Sequence, residues 1–151
     1  MNPFILAPQE RLLHWKDFRK DLPELPEIEQ LSAVAKYWAL APLLKLAHDI
    51  EQPQDEWPTP WEMVSAGDWD RNSVAIGMEF TLRLSGWDKD RLQLWMIRDY
   101  DISEVILILV VDQKFILNYD YSEVSEYPKT KHDVIGKWSF CGKTYSPISL
   151  K

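Results

Sequence analysis

A chain of 151 residues with 24 acidic against 17 basic side chains and a formal charge of -7 is long enough to bury one core. It is too acidic for nonspecific binding to nucleic acid or an anionic membrane, which needs a concentration of Lys and Arg. The single cysteine, Cys141, excludes an internal disulfide and a Cys-x-x-Cys zinc or redox site, while His14, His48 and His132 are too scattered for a local metal motif.

Residues 1–8 lack the basic and apolar regions of a signal peptide, and no apolar run approaches the roughly 20 residues that span a bilayer, so a cytosolic product is expected. Residues 9–20 form a short helix with Leu12, Leu13, Trp15 and Phe18 as its apolar members, ended by Pro23 and Pro26. Residues 27–50 carry the helical period through Leu31, Val34, Ala35 and Trp38, with a break at Ala41 and Pro42 and a second helix beyond it. Residues 51–56 read as a loop.

Trp57-Pro58-Thr59-Pro60-Trp61 is the most distinctive short segment. Proline keeps its predecessor extended, and Pro60 can open a short helix through Trp61, Met63 and Val64. With eight tryptophans in the chain, this pair reads either as a rigid, aromatic-packed connector or as an edge offered to a partner. On the second reading Trp57 and Trp61 are the candidate interface.

Residues 71–85 are predicted as a helix capped by Asp70 or Asn72 and stopped by Gly86. Apolar residues surround it, and its only acid and base past the first turn, Glu79 and Arg83, stand four apart, so it is buried on most sides. Three strands follow, at 91–98, 104–111 and 114–121. The unbroken run from Val105 to Val111 marks the second as central, and a hairpin without the usual glycine turns at Asp112 and Gln113. Residues 134–145 are expected to add an edge strand or hairpin. The fold class is therefore α+β: helices packed on a small, mainly antiparallel sheet. One domain is expected over 1–151, helical through residue 66 and helix plus sheet from 67.

The order of buried helix followed by three strands resembles the core of the transglutaminase-like, papain-like cysteine enzymes over residues 67–121. In that family a Cys opens the helix, where the helix end stabilises its thiolate, a His on a following strand deprotonates it, and an Asp or Asn orients the His. Ala75 and Gly86 match the family's helix. The resemblance places the nucleophile at Arg71, the His at about Ser103 in Ser103-Glu104-Val105-Ile106-Leu107, and the acid at Asn118 in Phe115-Ile116-Leu117-Asn118. The triad positions would thus be degenerate, with no catalytic residue assigned, although helix–β–β–β order also occurs in unrelated α+β folds.

A looser resemblance, carried by residues 13–19, 57–62 and 77–82, is to small proteins of tailed bacteriophages. It implies a noncatalytic structural part of a virion, in the tail or head–tail region, in contact with other virion proteins. Such a part would be made in the host cytoplasm and then be incorporated into the particle. No cofactor or metal and no contact with nucleic acid or membrane is expected. Two other readings stay open. One is an enzyme using its loop aspartates with His14, His48 or His132. The other is a soluble acidic adaptor or inhibitor that binds a host protein.

Overall fold

The computed structural model describes residues 2–40, 57–67, 69–100, 103–120, 122–126, 132–142 and 144–150. The helix expected after Pro42, the loop at 51–56, and His48 and Asp68 lie outside the described residues. Among the described residues there are four α-helices: α1 (Pro8–Asp21), α2 (Glu27–Trp38), α3 (Pro60–Ala66) and α4 (Arg71–Leu84). Prolines start α1 and α3, where a missing N–H costs nothing. Thr59 caps α3, its Oγ1 accepting from the Glu62 N–H, and Gly67 ends it with φ +83°. The Arg11 guanidinium donates to the carbonyls of Val64 and Ser65, clamping α1 onto the end of α3, where a cation suits the helix dipole.

Six antiparallel strands follow: β1 (Leu92–Asp99), β2 (Glu104–Val111), β3 (Phe115–Leu117), β4 (Val124–Glu126), β5 (His132–Cys141) and β6 (Thr144–Pro147), in the order β4-β3-β2-β1-β5-β6. The apolar run of β2 sits inside the sheet as expected. Leu107, Leu109 and Val111 face the main core, while Ile106, Ile108 and Val110 join Trp95, Ile97 and Ile116 on the opposite face.

Three strand expectations need correction. The third strand shortens to Phe115–Leu117, because Asn118 turns into the left-handed region at φ +71°. The tail forms the expected hairpin with β6 as its edge strand, but its first strand, β5, begins at His132 and pairs with β1 inside the sheet. β4 was not foreseen; its three residues are too few for a periodic signal. The β2–β3 turn does form without glycine, with Asp112 and Gln113 both near φ +56°. Asp112 tolerates this conformation better than most residues.

α4 lies between two layers, packing on β1 and β2 with one side and on α1, α2 and α3 with the other. Gly77 makes this possible, because a Cβ there would stand 2.4 Å from the Trp38 ring. One turn later, the Thr81 hydroxyl donates to the Gly77 carbonyl (2.7 Å) and accepts from the indole N–H groups of Trp15 (3.1 Å) and Trp38 (3.0 Å). That is the full capacity of a hydroxyl. On the sheet side, Glu79 is 1% exposed. Arg83 grips it with two hydrogen bonds and the Tyr145 hydroxyl of β6 donates to it at 2.7 Å. Burial, then the Glu79 charge, hold the Tyr145 phenol well above its usual pKa.

Outside the core, Arg91 bridges Glu27 at the start of α2 to Asp112 in the β2–β3 turn. Its hydrogen bonds hold both carboxyls below their usual range. No described helix is long and apolar enough to cross a membrane.

Thr81→Val keeps the shape and removes the acceptor for two buried indoles, each orphaned N–H costing about 1–3 kcal/mol. Chemical denaturation is expected to show a much larger loss for Thr81→Val than for Thr81→Ser, which retains the hydroxyl. Equal losses would mean that the methyl, not the hydroxyl, organises this layer.

Candidate functional site

The N-terminus of α4 abuts one end of the sheet. Asp70 caps the helix, accepting from the Ser73 N–H and from its hydroxyl, both at 2.8 Å. The helix dipole favours a carboxylate there. Beside it, β2 runs on past the end of β3, and side chains take over the ladder. The Leu107 N–H donates to Asn72 Oδ1 (3.1 Å), and the Leu107 carbonyl accepts from Asn118 Nδ2 (2.8 Å). The same Asn118 amide donates to the Arg71 carbonyl at 2.8 Å, joining the first residue of α4 to the end of β3. Arg71 reaches back, its guanidinium donating to the Tyr119 carbonyl (3.2 Å) and lying 3.6 Å from the Glu104 carboxylate.

Of the three residues placed by sequence resemblance, Arg71 and Asn118 are therefore joined. Ser103 is exposed, with φ +55°, immediately before β2, and its neighbour Glu104 is the residue that meets Arg71. Asn118 ties backbone to backbone, a role that suits an asparagine, which carries two amide protons and tolerates the left-handed region.

A second group at this end pairs residues that the sequence reading named only separately, a loop aspartate and His132. Asp99, the last residue of β1, is 0% exposed and accepts from the Tyr119 hydroxyl. It stands opposite Glu104 of β2 and His132 of β5. A carboxylate and an imidazole in register on adjacent strands are within about 5 Å of each other at the backbone. Cross-strand pairing between 99 and 132 leaves no local spacing signal, so sequence alone could not show it. Tyr100 donates to Asp133 nearby, and that hydrogen bond raises the phenol's pKa.

Cys141 lies elsewhere. It is exposed at the far end of β5, nine residues from His132, or roughly 30 Å along an extended strand. Among the described residues no cluster of three or more His, Cys, Asp or Glu side chains is placed to hold a metal ion.

The tryptophan pair divides. Trp57 is 5% exposed and packs on Trp138 and Tyr145, so it offers no surface, and the interface expectation is corrected there. Trp15, Trp38, Trp69, Trp87, Trp95 and Trp138 are buried as well. Trp61, at 45%, is the exposed one. Its ring meets Trp15 and Phe80 by its edges.

No family model matches the chain, and no curated protein sequence matches it either. Solved structures do. Calcium-bound LapG of Legionella pneumophila superposes with a TM-score of 0.71 at 20% identity, over 90% of this chain and 77% of LapG. Two further LapG structures, one of them EGTA-treated, superpose at 0.70 and 21% identity, over 89% of this chain and 74% of theirs. The fold is transglutaminase-like, as in LapG. The expectation that the chain is no enzyme is corrected by these neighbours, because the scaffold is an enzyme's. That expectation rested on a few side chains at one helix end, which do not determine the class of the fold.

Replacing Asn118 tests how this end is built. Asn118→Gly keeps the backbone conformation but orphans two carbonyls, and Asn118→Ala adds strain at φ +71°. Stability is expected to fall in the order Asn, Gly, Ala, by about 1–3 kcal/mol for the lost hydrogen bonds. Arg71→Met, which removes a solvent-facing ion pair, should cost no more than about 1 kcal/mol. Urea denaturation reads all three, and a loss at Arg71 equal to that of Asn118→Ala would put the organising contact in the ion pair.

Proposed function

We propose that this chain is an assembly protein built on a transglutaminase-like scaffold, a structural component of a tailed-bacteriophage virion in its tail or head–tail region. One observation carries the reading. Leu13 of α1 and Trp61 of α3 are large apolar side chains, 61% and 45% exposed, that line one groove, the kind of surface that meets protein partners.

The surface chemistry agrees with protein partners. A charge of -7 disfavours nucleic acid and anionic membrane, and Trp61 offers a large exposed ring. On this reading the chain is synthesised in the host cytoplasm, is then incorporated into the particle, and contacts other virion proteins. Mass spectrometry of purified particles from the encoding organism tests it. Stoichiometric recovery is the expected result; absence from particles, with capture of a host protein instead, would transfer the reading to an adaptor.

The group at the end of β1 favours a second reading, a hydrolase working by acid–base chemistry. There Asp99 would hold His132, and His132 would move the proton. Its test is hydrolysis of a peptide and amide panel by the purified chain. Activity that His132→Asn and Asp99→Asn abolish, and Cys141→Ser leaves intact, would replace the first reading with this one.

A further inference from the structure

We propose that the groove between α1 and α3 takes an amphipathic helix of a partner protein whose apolar stripe is flanked by carboxylates; this rests on the assembly reading and names the surface it uses. The groove encloses about 410 Å³. Leu12, Leu13 and Trp61 form its walls above the buried Trp15, and Lys16 and Arg19 line it with them. Leu13 is 61% exposed and Trp61 45%, so a large aliphatic and a large aromatic side chain stand side by side in solvent. Single exposed hydrophobics are ordinary, whereas these two share one mainly apolar groove.

Charge selects the occupant. The chain carries seven more acidic than basic groups, yet among the described residues this groove is lined by two cations and by no carboxylate. The Arg19 guanidinium lies 4.0 Å over the Trp15 ring, and its Nε is buried without an acceptor among the described residues. A guanidinium placed over an indole can still present N–H groups to a carboxylate. Secondary structure follows from the walls. Both are helices, which present no free strand edge, so an extended peptide would leave its backbone N–H and C=O groups without partners. A helix satisfies its own backbone and lays one apolar stripe into the groove.

The full chain can be tested with a synthetic helical peptide bearing leucines at i, i+3, i+4 and i+7 flanked by glutamates, and with a twin in which lysines replace the glutamates. Calorimetry and amide NMR shifts provide the readout. The glutamate peptide is expected to bind with shifts confined to α1 and α3, to weaken with added salt, and to exceed the lysine peptide by at least about tenfold. Trp61→Ala weakens it; because Trp61 also packs on Trp15 and Phe80, Leu13→Ser, a change at an exposed site, must weaken it too. Lys16→Glu combined with Arg19→Glu reverses the preference toward the lysine peptide.

Equal affinity for both peptides, binding of neither, or shifts mapped elsewhere overturn the proposal. So does a wild-type dimer that Leu13→Ser dissolves, since a second copy would then be the occupant. Recovery of Leu13→Ser in particles at wild-type level removes the groove while leaving the assembly reading standing. Absence of the wild-type chain from particles, with the peptide still bound at α1 and α3, removes the assembly reading and leaves the groove.

Discussion

One hydroxyl group fixes the middle layer of this protein. Thr81 Oγ1 is saturated by two indoles from different helices and by the carbonyl one turn earlier in its own helix. Two tryptophans are thereby hydrogen-bonded in the interior, which removes the cost of burying their N–H groups. Gly77 belongs to the same device, since it lets the Trp38 ring lie against the backbone of α4. With α1 and α2 pinned in this way, α4 cannot rotate or slide, and its N-terminus is held against the end of β2, where Asn72 and Asn118 complete the strand's hydrogen bonds.

The features legible in sequence are those whose signal is local and repeated. α4 is found within a residue of its expected ends, because Asp70 and Gly86 punctuate a long apolar period. β2 matches its expected bounds, because seven consecutive apolar residues fit nothing but a covered strand at that length. What stayed hidden depends on pairing at a distance. β5 lies beside β1 only because the chain crosses to the other side of the sheet after β4, and no property of residues 132–141 declares that. Trp57 and Trp61 look equivalent in sequence, four residues apart around two prolines. They part company because α3 begins between them, sending one ring toward Trp138 and the other out beside α1.

The end of α4 shows the same limit in the site. The resemblance located Arg71 and Asn118 well enough that the structure joins them by a hydrogen bond. It could not reveal that Glu104 rather than Ser103 would face Arg71, a matter of one residue at a left-handed turn. Nor could it reveal Asp99 beneath Tyr119. The superposition on LapG at 20% identity makes the complementary point. A fold persists through its apolar periods and layer contacts, while the few residues at a helix end are free to change, so scaffold and chemistry must be read from different residues.

The buried Glu79 carboxylate has a consequence for the order in which the chain is assembled. Its partner Arg83 is one helical turn away, but Tyr145, which completes its hydrogen bonding, lies 66 residues downstream. At typical ribosomal speeds that interval is about 3–13 s, long compared with the microseconds a helix takes to form. Throughout it, α4 has a charged group on a flank with no strand yet to cover it. The central helix therefore emerges early but is sealed late, and the packing that depends on β6 waits until that strand has been made.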